Sequence, residues 1–317
     1  MAFKITILGS SSAIPTAVKY PTAQVLNAEE QFFLIDCGEG TQIQLRKYRF
    51  KLARFHRIFI SHLHGDHYFG LIGLISTLSL LGNNNDIHVY APPELKTLIK
   101  GQLACIRGDL GFSVFFHPLA FHEPQIILDE EKLVVTSFPL RHSVPTCGFL
   151  FREKQKLPNM RKERISQYKI PIKEIRKIKE GADFITESGQ VILHEELTIP
   201  PSPPRSYAFC TDTAYHEPVI DIIRNVDLLY HESTFQNDKR EMAREALHST
   251  AEQAATIALK AGVKRLLIGH FSNRYKKTDG FLKEARAVFP KTFLATEGKT
   301  FPIKQEHPDS PPQKSGC

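Results

Sequence analysis

The stretch Ser61-His62-Leu63-His64-Gly65-Asp66-His67 places three imidazoles and a carboxylate on one short segment. The apolar run His56-Arg57-Ile58-Phe59-Ile60 precedes it, and Tyr68-Phe69-Gly70-Leu71-Ile72 follows. A strand, a tight loop and the start of a helix are expected in that order. His62 and His64 stand two residues apart, so in extended chain they project to one side. Asp66 and His67 fall where the chain turns into the helix and face a second point. Imidazole nitrogen and carboxylate oxygen without thiolate suit zinc, manganese or iron(II) with a position left open for chemistry, whereas structural zinc sites are closed and usually rich in cysteine. The stretch predicts a metal site on a strand-to-helix loop.

The rest of the chain fits an enzyme of the cell interior. Its 317 residues, 42% of them apolar, are enough for one large core or two smaller ones. No run approaches the roughly 20 apolar residues of a membrane span. Met1-Ala2-Phe3-Lys4-Ile5 lacks the long apolar stretch of a secretory signal. Membrane association and export are therefore not expected. Cys37, Cys105, Cys147, Cys210 and Cys317 are odd in number, scattered, and form no Cys-x-x-Cys pair. That argues against a disulfide framework and against a thiolate zinc site, and a reducing cytoplasm is the expected location.

Short apolar runs predict strands at 5–8, 31–36, 55–60, 87–90, 113–116, 132–138, 146–151, 206–210, 227–230, 265–268 and 292–294. Helical patterning covers 41–48, 68–81, 93–105, 216–225, 239–246, 250–261 and 278–288. Ala251, Ala254, Ala255 and Ala258 share one stripe at helical period. So many strands with interspersed helices argue an α/β or α+β fold of layered sheets. Gly9-Ser10-Ser11-Ser12 lacks the lysine of a phosphate-binding loop and reads as a turn after the first strand. The tail 304–317, with Pro308, Pro311 and Pro312 among polar neighbours, reads as disordered.

One segment stands apart in charge. Between Arg152 and Glu180, eleven basic residues face four acidic ones, an excess of +7 that equals the formal charge of the whole chain. Everything outside this segment is neutral in sum. A charge run can be no more than a solvated face, but a single-sign patch near a catalytic centre attracts a polyanion and tracks a phosphate backbone. Arg161, Lys162, Arg164, Lys173, Arg176 and Lys177 are its candidate substrate contacts.

Four side chains on one loop cannot complete two metal sites, so further ligands must come from later in the chain. Three loops at strand ends offer them: Leu140-Arg141-His142-Ser143, Phe209-Cys210-Thr211-Asp212-Thr213 and Ile268-Gly269-His270-Phe271. Taken singly, each residue is an ordinary polar or capping group. Together, His142, Asp212 and His270 complete a binuclear set.

With these residues the chain resembles the metallo-β-lactamase superfamily, and within it the ribonuclease Z family, over roughly residues 3 to 301. The resemblance rests on the histidine loop followed by His142, Asp212 and His270. It extends to Asp36-Cys37-Gly38-Glu39-Gly40-Thr41-Gln42 and Arg141-His142-Ser143-Val144-Pro145-Thr146-Cys147-Gly148. His231-Glu232-Ser233-Thr234 followed by His248-Ser249-Thr250 discriminates ribonuclease Z from lactamases and thioester hydrolases.

The resemblance implies a four-layer αββα sandwich spanning residues 1–303, with a basic tRNA-binding arm inserted at about 152–190. It implies a zinc-dependent endoribonuclease that removes the 3′ trailer of precursor tRNA, leaving a 3′ hydroxyl on the tRNA and a 5′ phosphate on the trailer. Two Zn2+ per subunit, or Mn2+ or another divalent metal, are implied, one held by His62, His64 and His142, the other by Asp66, His67 and His270, with Asp212 bridging. Two such ions support in-line attack by hydroxide. Asp66 would orient or deprotonate the nucleophile, His248 would be the general acid, and Glu232 would hold and charge its ring. A homodimer is also implied. Two departures stand out: the arm lacks the family's Gly-Pro pair, and Pro15-Thr16-Ala17-Val18-Lys19-Tyr20-Pro21 lacks the Arg and Asn of the Pro-x-Lys-x-Arg-Asn loop. The alternatives are a metal-dependent phosphodiesterase acting on small substrates and an RNA-binding protein on a hydrolase fold. The basic insertion and the His248–Glu232 pair weigh against the first, and the complete ligand set against the second.

Overall fold

The computed structural model describes residues 2–105 and 109–305; most of the tail expected to be disordered, 306–317, lies outside them, as does Cys317. Two seven-stranded sheets dominate. In the first, the strands run in the order Thr300–Pro302, Phe3–Gly9, Ala23–Ala28, Gln31–Ile35, Phe55–Phe59, Ile87–Ala91 and Val114–Pro118. In the second, the order is Thr292–Leu294, Leu266–Gly269, Leu228–Glu232, Ser206–Cys210, Thr146–Glu153, Leu133–Leu140 and Gln125–Asp129.

The central strands are buried on both faces, and their period of two sorts side chains between layers. In Ser206–Cys210, Tyr207 and Phe209 enter the core between the sheets, while Ala208 and Cys210 enter the core under the outer helices. Phe59 likewise enters the central core, where its ring lies 5.5 Å from Phe149 and 5.4 Å from Phe151 of the other sheet. Ile58 faces the opposite way, toward Leu71, Leu74, Ile75 and Leu78 of the helix Gly70–Leu80. The layers are therefore helix, sheet, sheet, helix, the metallo-β-lactamase architecture that the resemblance implies. On the second outer face, Ala251, Ala254, Ala255 and Ala258 are fully buried, and their small side chains let the helix Ala251–Lys260 lie close on the sheet. Thr250 and Gln253 start that helix with a capping box.

Parallel pairing decides where the site forms. Ser206–Cys210, Leu228–Glu232 and Leu266–Gly269 are parallel neighbours, with Cys210 opposite His231 and Glu232 opposite Gly269. Asp212, Glu232 and His270 consequently emerge at the same carboxyl edge, the edge at which open α/β sheets bind ligands.

The structure corrects several local expectations. The helix expected over 68–81 is interrupted: Gly65–Tyr68 forms one short turn and Gly70–Leu80 the main helix. The amide of Gly70 turns away to Cys37 O, 2.8 Å distant, and a Cβ at Gly70 would sit 2.0 Å from Gly38 O. Only Val219–Ile222 of the expected 216–225 is helical, with Pro218 before it and Asn225 in the left-handed region after it. Ala23–Ala28 is a strand that hydrophobic alternation missed, because Gln24 and Asn27 are buried polar residues within it.

Glu153–Pro204 forms a separate compact unit. Two short antiparallel pairings, Asn159–Met160 with Thr198–Ile199 and Phe184–Ile185 with Val191–Ile192, close it. The helices Lys162–Gln167, Ile172–Lys179 and His194–Leu197 surround a small core of Ile170, Ile178, Ile192 and Leu197. Among the described residues, no helix of the chain is long and apolar enough to cross a membrane.

Truncating a ring of the central core should cost far more than truncating an exposed one. Phe209→Ala should lower unfolding free energy by about 3–5 kcal/mol, whereas Ile126→Ala, at a position 60% exposed, should cost no more than about 0.5 kcal/mol. Denaturant titration of both variants checks the contrast.

Candidate metal centre

Four strand ends supply the site. His62, His64, Asp66 and His67 follow Phe55–Phe59, His142 follows Leu133–Leu140, Asp212 follows Ser206–Cys210, and His270 follows Leu266–Gly269. All seven converge in two groups, His62, His64, His142 and Asp212 in one, and Asp66, His67 and His270 in the other. Asp212 reaches both with different oxygens. Its Oδ2 lies 3.7 Å from His62 Nε2 and 3.7 Å from His142 Nε2. Its Oδ1 lies 3.5 Å from His67 Nε2 and 3.2 Å from His270 Nε2. Asp66 Oδ2 stands 3.4 Å from His67 Nε2 and 3.3 Å from His270 Nε2, and His64 Nδ1 stands 3.2 Å from His142 Nε2.

Hydrogen bonds behind the rings set their orientation. His67 Nδ1 pairs with Asp36 Oδ2 at 2.7 Å. His62 Nδ1 pairs with Ser61 Oγ at 3.0 Å, and that hydroxyl donates to Asp36 Oδ2. His142 Nδ1 donates to Leu247 O at 3.0 Å, and His270 Nδ1 meets Thr234 Oγ1 at 2.9 Å. With Nδ1 so engaged, each of these four rings turns an Nε2 lone pair inward, the tautomer a metal ligand needs.

The donor set fits divalent metal ions. His62 Nε2 and His67 Nε2 are buried and have no hydrogen-bond partner, a costly arrangement unless something else satisfies them. Four donors at ordinary zinc distances lie about 3.4 Å apart at the corners of a tetrahedron, close to the 3.2–3.7 Å found between these atoms. Electrostatics agree. Burial disfavours charge on His67, yet Asp66, Asp212 and Asp36 around it push its pKa well above the usual imidazole value. On His62 burial prevails and the pKa falls well below it. Burial also opposes charge on Asp212, but His270 and His67 hold its carboxyl well below the usual range. The carboxylates thus create a local demand for positive charge.

His248 sits at the rim, its ring 4.9 Å from that of His142 and 5.6 Å from that of His270. Its Nδ1 donates to Glu232 Oε1 at 2.8 Å. Burial alone would lower its pKa, but the charge and hydrogen bond of Glu232 raise it to about 9. A ring held protonated is a poor metal ligand, although its nitrogen also lies near Asp212 and His270. Glu232 is wholly buried and accepts as well from the amides of Thr213, Thr234 and Ser249 and from Thr234 Oγ1.

Three supporting residues were not singled out from sequence: Asp36, Ser61 and Thr234. The first lies inside Asp36-Cys37-Gly38-Glu39-Gly40, and a charged residue closing an apolar strand was the available signal; a serine and a threonine carry none.

The basic candidates lie in the separate unit and are not equivalent. Arg161 Nε donates to Thr198 O at 3.0 Å, so it ties that unit together. Arg164 bonds Gln167 and lies over the Tyr168 ring, Arg176 pairs with Glu180 at 2.9 Å, and Lys177 with Glu174 at 3.2 Å. Lys162 and Lys173 are exposed and have no ion pair among the described residues.

Comparison with known proteins places this geometry. A family model described as Anti-Pycsar protein Apyc1 matches residues 3–170, just over half of the chain, which falls within that family; a Beta-lactamase superfamily domain matches residues 197–271. A protein of Bacteroides thetaiotaomicron named Ribonuclease Z is 48% identical over 95% of this chain and 95% of its own length. One of Porphyromonas gingivalis with the same name is 43% identical, over 93% of this chain and 97% of its own. The crystal structure of human tRNase Z, short form, superposes with a TM-score of 0.70 at 27% identity, over 95% of this chain and 99% of that one. Near-complete coverage at such identity narrows the membership within the superfamily: the chain belongs to the ribonuclease Z family.

Proposed function

We propose that this chain is an endoribonuclease that removes the 3′ trailer from precursor tRNA, using a binuclear zinc centre and a protonated histidine. The ligand groups alone would serve any hydrolase of the superfamily. The observation that carries the reading is the His248–Glu232 pair beside the carboxylate that the two donor groups share.

In this reading His62, His64 and His142 would hold one ion and Asp66, His67 and His270 the other, with Asp212 offering an oxygen to each group. Two Zn2+ per subunit are assigned, with Mn2+ or another divalent ion able to replace them. When bound, such ions lower the pKa of water and offset the charge of phosphate oxygens. Asp66 keeps Oδ2 toward the rings of His67 and His270, leaving Oδ1 to orient the attacking water and take its proton. The leaving group is the ribose O3′, a strongly basic oxygen that must gain a proton as its bond to phosphorus breaks. His248 supplies it. Nδ1–H is committed to Glu232, so the transferable proton is on Nε2, and a side chain 15% exposed remains within reach of substrate. The products are a 3′ hydroxyl on the tRNA and a 5′ phosphate on the trailer.

The catalytic domain is assigned to residues 1–303, with an inserted substrate arm of about 152–190, and the enzyme to the cytoplasm as a homodimer. The arm's unpaired lysines give the polyanion its grip, and the counterions they displace make binding salt-dependent.

Asp212→Ala should lose bound metal and cleavage while the sandwich stays folded. A chelator should act reversibly in the same way; elemental analysis alongside precursor cleavage tests both, and full activity in a metal-free sample would overturn the mechanism.

His248→Ala should lower kcat by about 10²–10⁴ with little change in KM. The acid works only while protonated, so kcat should fall as pH rises through the His248 pKa of about 9. Glu232→Gln removes the charge that raises that pKa, and the alkaline limb of the kcat profile should move to lower pH. A limb that stays in place would remove Glu232 from this role.

In the arm, Lys162→Ala and Lys173→Ala should each weaken precursor binding and reduce the slope of log K against log salt by roughly 0.7–0.9 per lost phosphate contact. Hydrolysis of bis-p-nitrophenyl phosphate should be unchanged in both. Arg161→Ala should chiefly loosen the arm itself, measurable as faster amide exchange around Thr198.

A further inference from the structure

Two loops that follow different strands meet beside the metal centre. Ser11 forms bridges to both Pro21 and Phe271, the Ser12 amide donates to Phe271 O at 3.1 Å, and the Phe271 amide donates to Ser10 O at 3.0 Å. This pairing brings Asn273 against the turn at Ala13. Asn273 Oδ1 accepts from Ser11 Oγ at 2.9 Å, and its Nδ2 donates to Ile14 O at 2.7 Å. Between those anchor points the Ile14 amide bonds Ser12 O at 2.7 Å, closing a three-residue turn with Ala13 at φ 58°. A γ-turn with positive φ is rare and strained for a residue that carries a Cβ.

The strained turn aims one atom at the site. The Ala13 amide donates to Asp66 Oδ2 at 2.8 Å, the oxygen that faces His67 and His270. Apart from those rings, it is the one hydrogen-bond donor to Asp66 among the described residues. We propose that Asn273 is a positioning residue: by bracing the strained turn, it keeps the Ala13 amide on Asp66 Oδ2 and so fixes which carboxylate oxygen faces the ligand rings. A carboxamide can do this because it presents an acceptor and a donor in one plane. Without the brace, Ala13 relaxes to negative φ, the amide leaves, and the carboxylate turns freely about its last bond. The inference rests on the reading of Asp66 as a metal ligand.

The test is Zn2+ affinity measured by competition with a chromophoric chelator, beside steady-state cleavage of precursor tRNA and thermal unfolding of the metal-free protein. Asn273→Ala should bind Zn2+ roughly 10–100-fold more weakly, as loss of an outer partner of a metal ligand does. Its kcat should drop in proportion, with KM and the metal-free melting temperature unchanged. Asn273→Asp, which keeps the acceptor and loses the donor, should fall between. Adding Ala13→Gly to Asn273→Ala should recover part of the affinity, since glycine adopts positive φ without steric cost. Wild-type affinity and kcat in Asn273→Ala would overturn the inference. So would a loss matched by a lower metal-free melting temperature and not recovered by Ala13→Gly. Asp66→Ala separates the two readings: if it binds Zn2+ like the wild type, the ligand assignment fails and the inference with it. If it binds weakly while Asn273→Ala does not, the ligand assignment stands and the brace alone is refuted.

Discussion

Two wholly buried carboxylates, Asp36 and Glu232, anchor most of the rings around the candidate metal centre. A buried carboxylate costs several kcal/mol unless its oxygens are fully hydrogen-bonded or paired. Asp36 is met by the amide and hydroxyl of Ser61 and by His67 Nδ1. Glu232 is met by three amides, Thr234 Oγ1 and His248 Nδ1. Satisfying these two groups draws in loops from both sheets, because Asp36 follows a strand of the first and Glu232 ends a strand of the second. Four of the imidazole rings are oriented as a consequence. His67 rests on Asp36 directly and His62 through Ser61; His248 rests on Glu232 directly and His270 through Thr234.

The two carboxylates also divide the electrostatic labour. Asp36, with Asp66 and Asp212, surrounds rings whose Nε2 atoms turn inward, so the centre favours a bound cation. Glu232 works on a ring at the rim, where the same attraction stabilises a proton instead. One kind of interaction, a buried carboxylate against an imidazole Nδ1–H, thus serves two different rings, His67 within the donor groups and His248 at their rim. The difference lies in what the far side of the ring faces.

Backbone strain is present here too. Asp36 at φ 54°, His270 at φ 61° and Ala13 at φ 58° all lie in the left-handed region without being glycine. Asp36 and His270 each directly follow a strand, and Ala13 sits in the turn that carries its amide to Asp66. Such conformations persist only where surrounding bonds over-determine them. The Glu153–Pro204 unit has a smaller core of a few isoleucines and a leucine, with two-residue strand pairings.

Much of this was legible in sequence because it is local. The histidine loop between an apolar strand and a helix, the later His142, Asp212 and His270 at strand ends, the alanine stripe at 251–258 and the +7 run all depend on neighbours a few residues away. Their periodicity or charge is visible without the fold. Ala23–Ala28 was not, since Gln24 and Asn27 hide its alternation until the second sheet supplies Tyr207 as a partner for Gln24. Nor was the boundary of the separate unit, because charge ends at Glu180 while the pairing of Thr198–Ile199 with Asn159–Met160 carries the compact region to Pro204. Sequence by itself determined which side chains were available for metal, acid and polyanion. Tertiary structure alone decided that Asp212 offers one oxygen to each donor group, that Thr234 links His270 to Glu232, and that Arg161 bonds within its own unit. Those relations join residues distant in the chain, and they arise from parallel strand register and from the need to satisfy every buried charge, neither of which a local pattern records.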